Sequence, residues 1–475
     1  MSKIYPFYCA GEWRNSDNTL EVRNPYSGDI VGVTSLATEQ DLEDATAGAV
    51  SAYEEMRRMP TYERANVLFR LSERLAERRD EIVDLMTAEA GKPINDSRVE
   101  VDRGVFTLRV AAEEAQRIHG EQIPLDLMAS SAGRFGVTRR MPIGPIAGIS
   151  PFNFPLNLAL HKVAPAIASG NTIVLKPPSY DPLTMLAFAE IVDDVGLPEG
   201  AVSVMPMDRK IGDKLVTDDR YKMLSFTGSP DVGWDMKTRA GRKKVVLELG
   251  GNAGVIIDRD ADLDFAAGRV LTGAFAYAGQ VCISVQRVYI HEDVFDDFAG
   301  RLVAAAESVV MGDPADESTT LGPMIDDRAV ARIDEWVKAA VNEGAKILTG
   351  AEPDGRFYKP TVITNAAEES AVCAREAFAP IVNLFSFSDW DKGLERIDDS
   401  VYGLQAGVFT SSLEHALRAW DRLEVGGVII NDIPTYRVDH MPYGGVKDSG
   451  LSREGLRYAI EDMTEPRLAV FNRLG

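Results

Sequence analysis

The chain has 475 residues, of which 45% are hydrophobic, and a formal net charge of −22 at pH 7. This length allows two or three subdomains with well-filled cores. The acidic balance argues against nucleic-acid binding, which needs a basic surface. The longest apolar runs are interrupted before the ~20 residues that a membrane span needs, so we expect no membrane insertion. Solubility is the simplest explanation of the charge, and adaptation to high salt is the alternative.

The three cysteines, Cys9, Cys282 and Cys373, are too few and odd in number for a disulfide framework. Residues 1–10 lack the basic segment and apolar core of a signal peptide. Both observations favour a reducing, cytoplasmic setting. The few His and Cys residues lie far apart without the spacing of metal ligands, so we predict no metal site.

The first part of the chain is predicted to be mainly helical. Residues 15–32 are rich in turn-forming residues and indicate short surface strands. Residues 37–91 carry apolar side chains at helical spacing, and Gly91 followed by Pro93 is a helix stop signal. A further helix is predicted over residues 95–118.

Beyond residue 143, predicted strands and helices alternate. The predicted strands are 143–150, 172–175, 202–205, 223–226, 244–247, 253–257, 285–290 and 466–471. The predicted helices are 155–169, 182–195, 263–275, 294–309 and 329–343. This alternation is typical of parallel, doubly wound α/β sheets, and the glycines at 250 and 251 divide it into two units joined near residues 248–251.

Cys282 is the first candidate for chemistry. It follows a glycine-containing turn and precedes a predicted strand, a junction of the kind where functional residues concentrate. A thiolate attacks an aldehyde carbonyl readily, so Cys282 is a candidate nucleophile. The alternative, a small buried apolar residue, is our interpretation of Cys9 and Cys373.

Glu248 is a candidate general base, because it follows an apolar strand and precedes Gly250 and Gly251. Burial of a carboxyl group raises its pKa towards the range that a general base needs. The alternative is a solvated strand end.

Asn153 and Lys176 each follow an apolar run. The Asn153 side chain, between two phenylalanines, could donate to an oxyanion or could instead cap the next helix. Lys176 could hold a ribose or a phosphate, or could be an exposed strand end.

The loop of residues 226–233 follows a strand and leads into a helix. Its small residues Gly228, Ser229 and Gly233 would let backbone N–H groups meet a diphosphate at the helix N-terminus. The loop lacks the G-x-G-x-x-G pattern, so it is a weak signal alone.

In combination and in this order, the motifs resemble the aldehyde dehydrogenase superfamily over nearly the whole chain. The separation of Glu248 and Cys282 also matches that family. The matching motifs are PFNFP at 151–155, LKP at 175–177, FTGS at 226–229, ELGG at 248–251, GQVC at 279–282, Arg287, EAFAP at 376–380, PYGGVK at 442–447, Ser449 and Gly450.

The resemblance implies an α/β fold with a Rossmann-type cofactor domain, an α/β catalytic domain and a β oligomerisation arm. We assign residues 1–118 and 137–247 to the cofactor domain, 248–435 to the catalytic domain, and 119–136 with 455–475 to the arm. The resemblance further implies a homodimer or homotetramer that oxidises an aldehyde to a carboxylic acid with NAD or NADP.

By the same resemblance, Cys282 attacks the aldehyde, and the Asn153 side chain and the Cys282 backbone N–H stabilise the oxyanion. Glu248 then activates the water that hydrolyses the thioester. The implied cofactor residues are Lys176 and Glu376 at the two riboses, Phe378 beside the nicotinamide ribose, Ser229 with the turn from Gly228 to Gly233 at the diphosphate, and Ser179 and Leu249.

Three positions depart from the family pattern. Phe152 stands where many relatives have Trp, which removes one donor to the diphosphate, and Gly254 replaces a frequent Pro. Ser179 stands where NAD-preferring relatives often have Glu, so a 2′-phosphate would not be repelled. NADP therefore becomes a plausible cofactor beside NAD.

The substrate is expected to be a small hydroxylated or anionic aldehyde. Arg437 and His440 precede the PYGGVK motif, in a segment that borders the substrate tunnel in relatives, and His161 and Arg109 complete the candidate set. This resembles the lactaldehyde, phosphonoacetaldehyde and non-phosphorylating glyceraldehyde-3-phosphate branch. The alternative is that these four residues pair with local acids.

Three other functions compete with this prediction. An acylating enzyme would pass the thioester to coenzyme A, but such relatives usually lack the base predicted at Glu248. A cysteine esterase would turn over activated esters without reducing a nicotinamide. A non-catalytic protein on the same fold would not need Cys282, Glu248 and Asn153 together.

Overall fold

The computed structural model describes residues 4–473. Residues 1–3 and 474–475, the extreme ends of the predicted cofactor domain and arm, lie outside the described residues. Two large sheets dominate, each with its own hydrophobic core. The chain passes from one sheet to the other between Glu248 and Ala253, at the predicted junction.

The first sheet has eight strands, and its five central strands are parallel. Their order changes direction beside the strand Ile146–Ile149, so right-handed crossovers place helices on both faces. In spatial order the strands are Gly450–Leu451, Lys244–Glu248, Met223–Thr227, Ile146–Ile149, Ile173–Lys176, Val202–Val204, Phe7–Cys9 and Glu12–Arg14.

The predicted helical stretch 37–91 forms three helices. The first begins with a capping box at Thr38, and Pro60 precedes the second. The last ends at Gly91, which has the left-handed conformation typical of such a stop. The helices of this half are Glu39–Met56, Thr61–Glu77, Arg79–Ala90, Ile94–Ala115, Asn157–Ser169, Leu183–Asp194, Arg209–Thr217, Pro230–Arg239 and Leu456–Asp462.

The second sheet has seven strands, all parallel except the first at its edge. Five of them come from residues 344–465, a stretch without predicted elements. In spatial order the strands are Lys346–Thr349, Thr361–Thr364, Ile381–Phe387, Val285–His291, Ala253–Ile257, Gln405–Phe409 and Gly427–Ile430. The helices of this half are Leu263–Phe275, Phe295–Glu307, Asp327–Asn342, Ala371–Ala374, Trp390–Asp398 and Leu413–Arg422.

A separate three-stranded antiparallel sheet includes strands from both segments assigned to the arm, and its long strand runs on through residues 137–142, which were assigned to the cofactor domain. The long strand Arg134–Pro142 pairs on one side with Gln122–Pro124 and on the other with Thr464–Asn472. The helix Leu456–Asp462, which the sequence assignment placed in the arm, packs instead in the core of the eight-stranded half. The smaller sheets are Ile4–Tyr5 with Ile30–Ser35 and Thr19–Arg23, Pro353–Asp354 with Phe357–Tyr358, and Tyr402–Gly403 with Val446–Lys447.

A third, smaller hydrophobic cluster is separate from the two main cores. It joins Tyr277, Val281 and Tyr443, with Cys282 packed against it. Across residues 4–473, none of the helices has the length and apolar character needed to cross a membrane.

Candidate active site

Several predicted site residues lie at one edge of the eight-stranded sheet. Lys176 and Glu248 are the last residues of their strands, and Gly228 directly follows a third strand. These strands are parallel, so their carboxyl ends share an edge. In open α/β sheets, ligands bind at this carboxyl edge, beside the point where the strand order reverses.

A tight 3-10 turn, Ala276–Gly279, leads to Cys282. Tyr277 and Ala278 both have positive φ, and Gly279 lies so close to the Ala379 carbonyl that a Cβ there would overlap it. Such conformations persist only where the surroundings impose them, and they cluster at functional sites. The turn therefore holds the backbone before Cys282 in one position.

The Cys282 thiol is partly buried, and its sulfur lies 3.1 Å from the Tyr443 hydroxyl oxygen. Burial raises the pKa of this thiol to about 12, while the Tyr443 hydroxyl and the Arg437 charge act in the lowering direction. The resting residue is therefore a thiol, and its ionisation needs help from its neighbours. Cys9 and Cys373 are buried free thiols, as predicted.

Asn153 is buried beside the same turn. Its side-chain amide donates to the Gln280 backbone carbonyl at 3.0 Å, and the backbone carbonyl of Asn153 accepts from the Lys92 ammonium at 2.6 Å. It does not cap the next helix, because Glu100 accepts the first backbone N–H groups there. The side chain is thus held next to the Cys282 loop.

Glu248 is 3% exposed, so it is not a solvated strand end. Neither carboxyl oxygen has a hydrogen-bond partner within residues 4–473. Burial, and then the nearby Glu454 carboxylate, raise the pKa of Glu248 well above its usual range. Glu454 itself lies 3.3 Å from the Lys162 ammonium and 2.8 Å from the Arg437 guanidinium. Burial therefore favours the uncharged form of Glu248, which lies beside a buried carboxylate paired with two cations.

Lys176 has only weak partners. Its ammonium contacts the Pro177 carbonyl and the Ser179 hydroxyl at 3.4 Å each, and burial lowers its pKa. Ser179 is exposed and carries no charge. The pair thus leaves an ammonium group available to a ligand at the strand end.

The loop after the strand Met223–Thr227 is closely packed. A Cβ at Gly233 would overlap Leu249, so glycine is what allows the helix Pro230–Arg239 to lie against that residue. Ser229 is exposed at the helix N-terminus and makes no capping bond there. The first backbone N–H groups of this helix have no partner inside the helix, so they can donate hydrogen bonds to a phosphate at its N-terminus.

Glu376 faces the same edge. The Gly251 N–H donates to one of its oxygens at 3.0 Å, and a Cβ at Gly250 would overlap the carboxyl group. Burial raises the pKa of Glu376 to about 7.

Three aromatic rings follow. Phe378, with a positive φ, packs edge-on to Phe152 at 5.8 Å between ring centres, and Phe152 packs in the same way on Tyr180. The position where relatives have Trp is therefore part of an aromatic group.

These residues fit a nicotinamide dinucleotide. The first turn of the helix Pro230–Arg239 offers backbone N–H groups to a diphosphate, the Lys176 ammonium is weakly paired, and Glu376 has an oxygen that can accept from ribose hydroxyls. When bound, such a cofactor supplies the hydride acceptor of an oxidation.

A cavity of about 140 Å³ opens over Cys282. Its lining is mainly apolar, with Phe154 and Val281 among the contributors, and it also includes Arg103, Arg437 and Tyr443. Four distant segments of the chain therefore meet around the sulfur.

Both cavity arginines are held by buried acids. Arg437 donates to Glu454 at 2.8 Å, and its guanidinium carbon lies 3.7 Å from the centre of the Tyr443 ring. Arg103 donates to Asp439 through Nη2 at 2.7 Å and through Nε at 3.2 Å. Its remaining nitrogen, Nη1, has no hydrogen bond within residues 4–473, and the side chain is 25% exposed.

Arg103 was not among the residues predicted from the sequence. The signal was present in the helix Ile94–Ala115, where the buried residues Glu100 and Thr107 stand three positions before and four after it. This spacing places Arg103 on the inward side.

Three of the four predicted substrate residues do not line the cavity. Arg109 is 67% exposed on its helix and pairs with Glu113 at 3.5 Å. His440 is exposed and packs edge-on to Phe106. His161 is buried with Nε2 2.9 Å from Asp439, and burial lowers its pKa. Local acids therefore explain Arg109 and His161.

Comparison with known proteins gives a consistent result. The protein-family model with the description "Aldehyde dehydrogenase family" matches residues 13–469 of the chain. The 3-sulfolactaldehyde dehydrogenase of Priestia megaterium is 44% identical over 471 residues, covering 99% of this chain and 98% of the relative.

Two crystal structures are similar over nearly their full length. Aldehyde dehydrogenase 21 of Physcomitrella patens, in complex with the reaction product succinate, has a TM-score of 0.98 and 46% identity, covering 100% of this chain and 99% of the other. The glyceraldehyde-3-phosphate dehydrogenase GapN of Methanocaldococcus jannaschii, complexed with NADP, has a TM-score of 0.92 and 35% identity, covering 97% and 100%.

Proposed function

Because this chain belongs to the aldehyde dehydrogenase family and oxidises an aldehyde with NAD or NADP, we propose that its substrate is a short aldehyde with an anionic group. The anionic group lies at the end of the substrate away from the carbonyl, and the product is the corresponding carboxylic acid. The cavity over Cys282 is the binding site.

The free edge of Arg103 is the observation that carries this proposal. Asp439 takes one edge of the guanidinium and fixes its orientation, while Nη1 has no hydrogen-bond partner within residues 4–473 and the residue lines the cavity. A planar, oriented guanidinium suits carboxylate, sulfonate or phosphate oxygens. In a protein of net charge −22, such a local cation is what an anionic substrate needs.

Two relatives support an anionic substrate. One is named for 3-sulfolactaldehyde, which carries a sulfonate, and the other binds succinate, which carries a second carboxylate. The cavity volume of about 140 Å³ suits molecules of this short length.

For the chemistry, we assign the nucleophile to Cys282. The Asn153 amide, 3.0 Å from the Gln280 carbonyl at rest, turns to the substrate oxyanion together with the Cys282 backbone N–H. Glu248 acts in its ionised form, in which it accepts a proton from the water that hydrolyses the thioester on Cys282. Both Glu248 oxygens lack a hydrogen-bond partner within residues 4–473, which supports this role because neither is committed to another donor.

For the cofactor, we assign Lys176 and Ser179 to the adenosine ribose. An exposed, uncharged Ser179 beside the Lys176 ammonium supports binding of NADP as well as NAD, because nothing in that pair repels a 2′-phosphate. The diphosphate is contacted by Gly228, Ser229 and Gly233, with Leu249 packed beneath them. The nicotinamide ribose is contacted by Glu376 and Phe378.

For assembly, we propose a homodimer or homotetramer formed through the arm. Along the strand Thr464–Asn472, Leu468, Val470 and Phe471 are about half exposed, and such an open apolar edge is normally covered. Three free cysteines support a cytoplasmic location.

The test is a comparison of Arg103→Gln with Arg109→Gln, which lies on the same helix but outside the cavity. We expect Arg103→Gln to raise KM for sulfonated and dicarboxylic semialdehydes by about 10–100-fold, the range of one lost charge-assisted hydrogen bond. KM for uncharged short aldehydes should change little, and Arg109→Gln should behave as wild type.

Initial rates with NAD⁺ and NADP⁺ over a panel of aldehydes give these values. An uncharged aldehyde as best substrate would refute the anionic proposal, as would equal loss for charged and uncharged aldehydes in Arg103→Gln.

A further inference from the structure

The Tyr443 hydroxyl is in direct contact with the proposed nucleophile. Its oxygen lies 3.1 Å from the Cys282 sulfur, and either atom can be the donor. Within residues 4–473 it is the one hydrogen-bond partner of that sulfur. No step assigned above uses this hydroxyl.

Tyr443 is fixed in place from two sides. Its backbone N–H donates to the Glu454 carbonyl at 3.1 Å, and its backbone carbonyl accepts from the Glu454 N–H at 2.6 Å. Its side chain is buried in the small cluster with Tyr277 and Val281. The hydroxyl therefore stays at the sulfur rather than rotating into solvent.

Arg437 makes the hydroxyl a better donor. Its guanidinium carbon lies 3.7 Å from the centre of the Tyr443 ring, and Glu454 holds it there at 2.8 Å. A cation over the ring draws electron density from it, which strengthens donation by the O–H group. Burial raises the pKa of Tyr443 well above its usual range, so the phenol keeps its proton.

We propose that Tyr443 is a catalytic residue that donates its O–H to the Cys282 thiolate and so makes the buried thiolate accessible near neutral pH. In the resting thiol, the S–H donates to the phenol oxygen. When the thiol ionises, its proton leaves to solvent, and the phenol hydrogen turns to the sulfur without being transferred. When the sulfur bonds to the carbonyl carbon, its negative charge passes to the oxyanion and this hydrogen bond weakens.

The other charged groups near Cys282 do not substitute for this bond. Arg437 favours the thiolate, but Glu376 and Glu248 disfavour it when ionised, and burial disfavours it most. Among the groups of residues 4–473, only the Tyr443 hydroxyl lies within hydrogen-bond distance of the sulfur. The inference rests on Cys282 being the nucleophile.

The test is Tyr443→Phe, which keeps the ring and its contact with Arg437 and removes only the hydroxyl. The matched control is Tyr221→Phe, since Tyr221 is also buried and hydrogen-bonded, to Thr46, away from the site. The rate of alkylation by iodoacetamide is measured against pH without aldehyde or cofactor, with Cys282→Ala to identify the labelled residue.

We expect alkylation of Tyr443→Phe to be slower by about tenfold or more near neutral pH, with its profile displaced to higher pH, because a hydrogen bond to a charged group is lost. Tyr221→Phe should match wild type. An unchanged or faster rate in Tyr443→Phe would overturn the proposal. If Cys282→Ala still oxidises aldehydes, the assigned nucleophile is wrong instead.

A second variant covers the case that Tyr443→Phe does not fold. Site-specific replacement of Tyr443 by 3-fluorotyrosine keeps the shape and gives a more acidic phenol, hence a stronger donor. We expect faster alkylation near neutral pH than in wild type, and no increase would count against the role of the hydroxyl.

Discussion

The cofactor edge and the substrate cavity are built in different ways. At the cofactor edge, Lys176, Gly228 and Glu248 stand at the carboxyl ends of parallel strands of one sheet, and the backbone itself makes much of the site. At the cavity, side chains from four distant segments meet, and both arginines are paired with buried acids. A site made by backbone leaves a continuous motif in the sequence, whereas a site made by long-range side-chain pairs does not.

The difference also affects how mutations act. Removing one member of a buried ion pair leaves the other charge uncompensated, so substitutions at Glu454 or Asp439 disturb more than substrate contact. At the cofactor edge, an exposed residue such as Ser179 can change with little structural effect. Three predictions use this contrast.

The largest effect is expected at the junction of the two regions, in Glu248→Gln. The carboxamide cannot accept the proton of the hydrolytic water, so kcat should fall by about 100–10,000-fold. Hydride transfer precedes hydrolysis, so a burst of one reduced cofactor per active site should remain, whereas Cys282→Ala should lose the burst too.

Stopped-flow absorbance of the reduced cofactor separates these outcomes. Free acid formed at the wild-type rate by Glu248→Gln would remove Glu248 from the mechanism. A burst followed by turnover only when coenzyme A is added would instead support the acylating alternative.

A smaller effect is expected at the cofactor edge, in Ser179→Glu. The new carboxylate repels a 2′-phosphate, so the Kd for NADP should rise by about 10–100-fold while binding of NAD is kept or improved. Fluorescence titration with both cofactors gives the ratio. Equal changes for NAD and NADP would mean that Ser179 does not face the adenosine ribose.

The smallest effect is a pH dependence of cofactor binding through Glu376. Burial raises the pKa of this carboxyl to about 7, so it is protonated below that pH and ionised above it. Only the ionised form accepts bonds from both ribose hydroxyls. The affinity for the cofactor should therefore increase as the pH rises towards the pKa, by up to about tenfold per pH unit, and level off above it.

Titrations of wild type and Glu376→Gln across this range provide the check. The variant should bind weakly and without this pH dependence. A wild-type affinity that is flat between about pH 6 and 8 would argue against the assigned contact.

The motifs were sufficient to predict the family, the α/β fold and the cofactor class, all of which are confirmed. They also predicted the central strands and the stop at Gly91. The break at Arg78 was missed because apolar spacing continues across it, and the break at Pro60 was missed although a proline inside a helical pattern is itself a break signal. The five sheet strands between residues 344 and 465 were not predicted.

The substrate residues show the limit most clearly. Arg103 and Arg109 lie on the same helix. Arg103 is on its inward face and lines the cavity, whereas Arg109 is on its outward face and lies in solvent. Arg103 is held by Asp439, which lies far from it in sequence. Arg437 is held by Glu454, which lies 17 residues beyond it. Which charge faces which partner depends on packing between segments, and a single sequence does not record it.

The packing of the C-terminal segment has a consequence for biosynthesis. Leu456, Ile460 and Met463 belong to the core of the eight-stranded half, and Gly450–Leu451 pairs at the edge of its sheet. On the ribosome, the core of the eight-stranded half therefore needs residues 450–463, which are made after the core of the seven-stranded half is complete at residue 433. The order of folding then runs opposite to the order of translation, and the nascent N-terminal half carries an unfinished core for most of its synthesis.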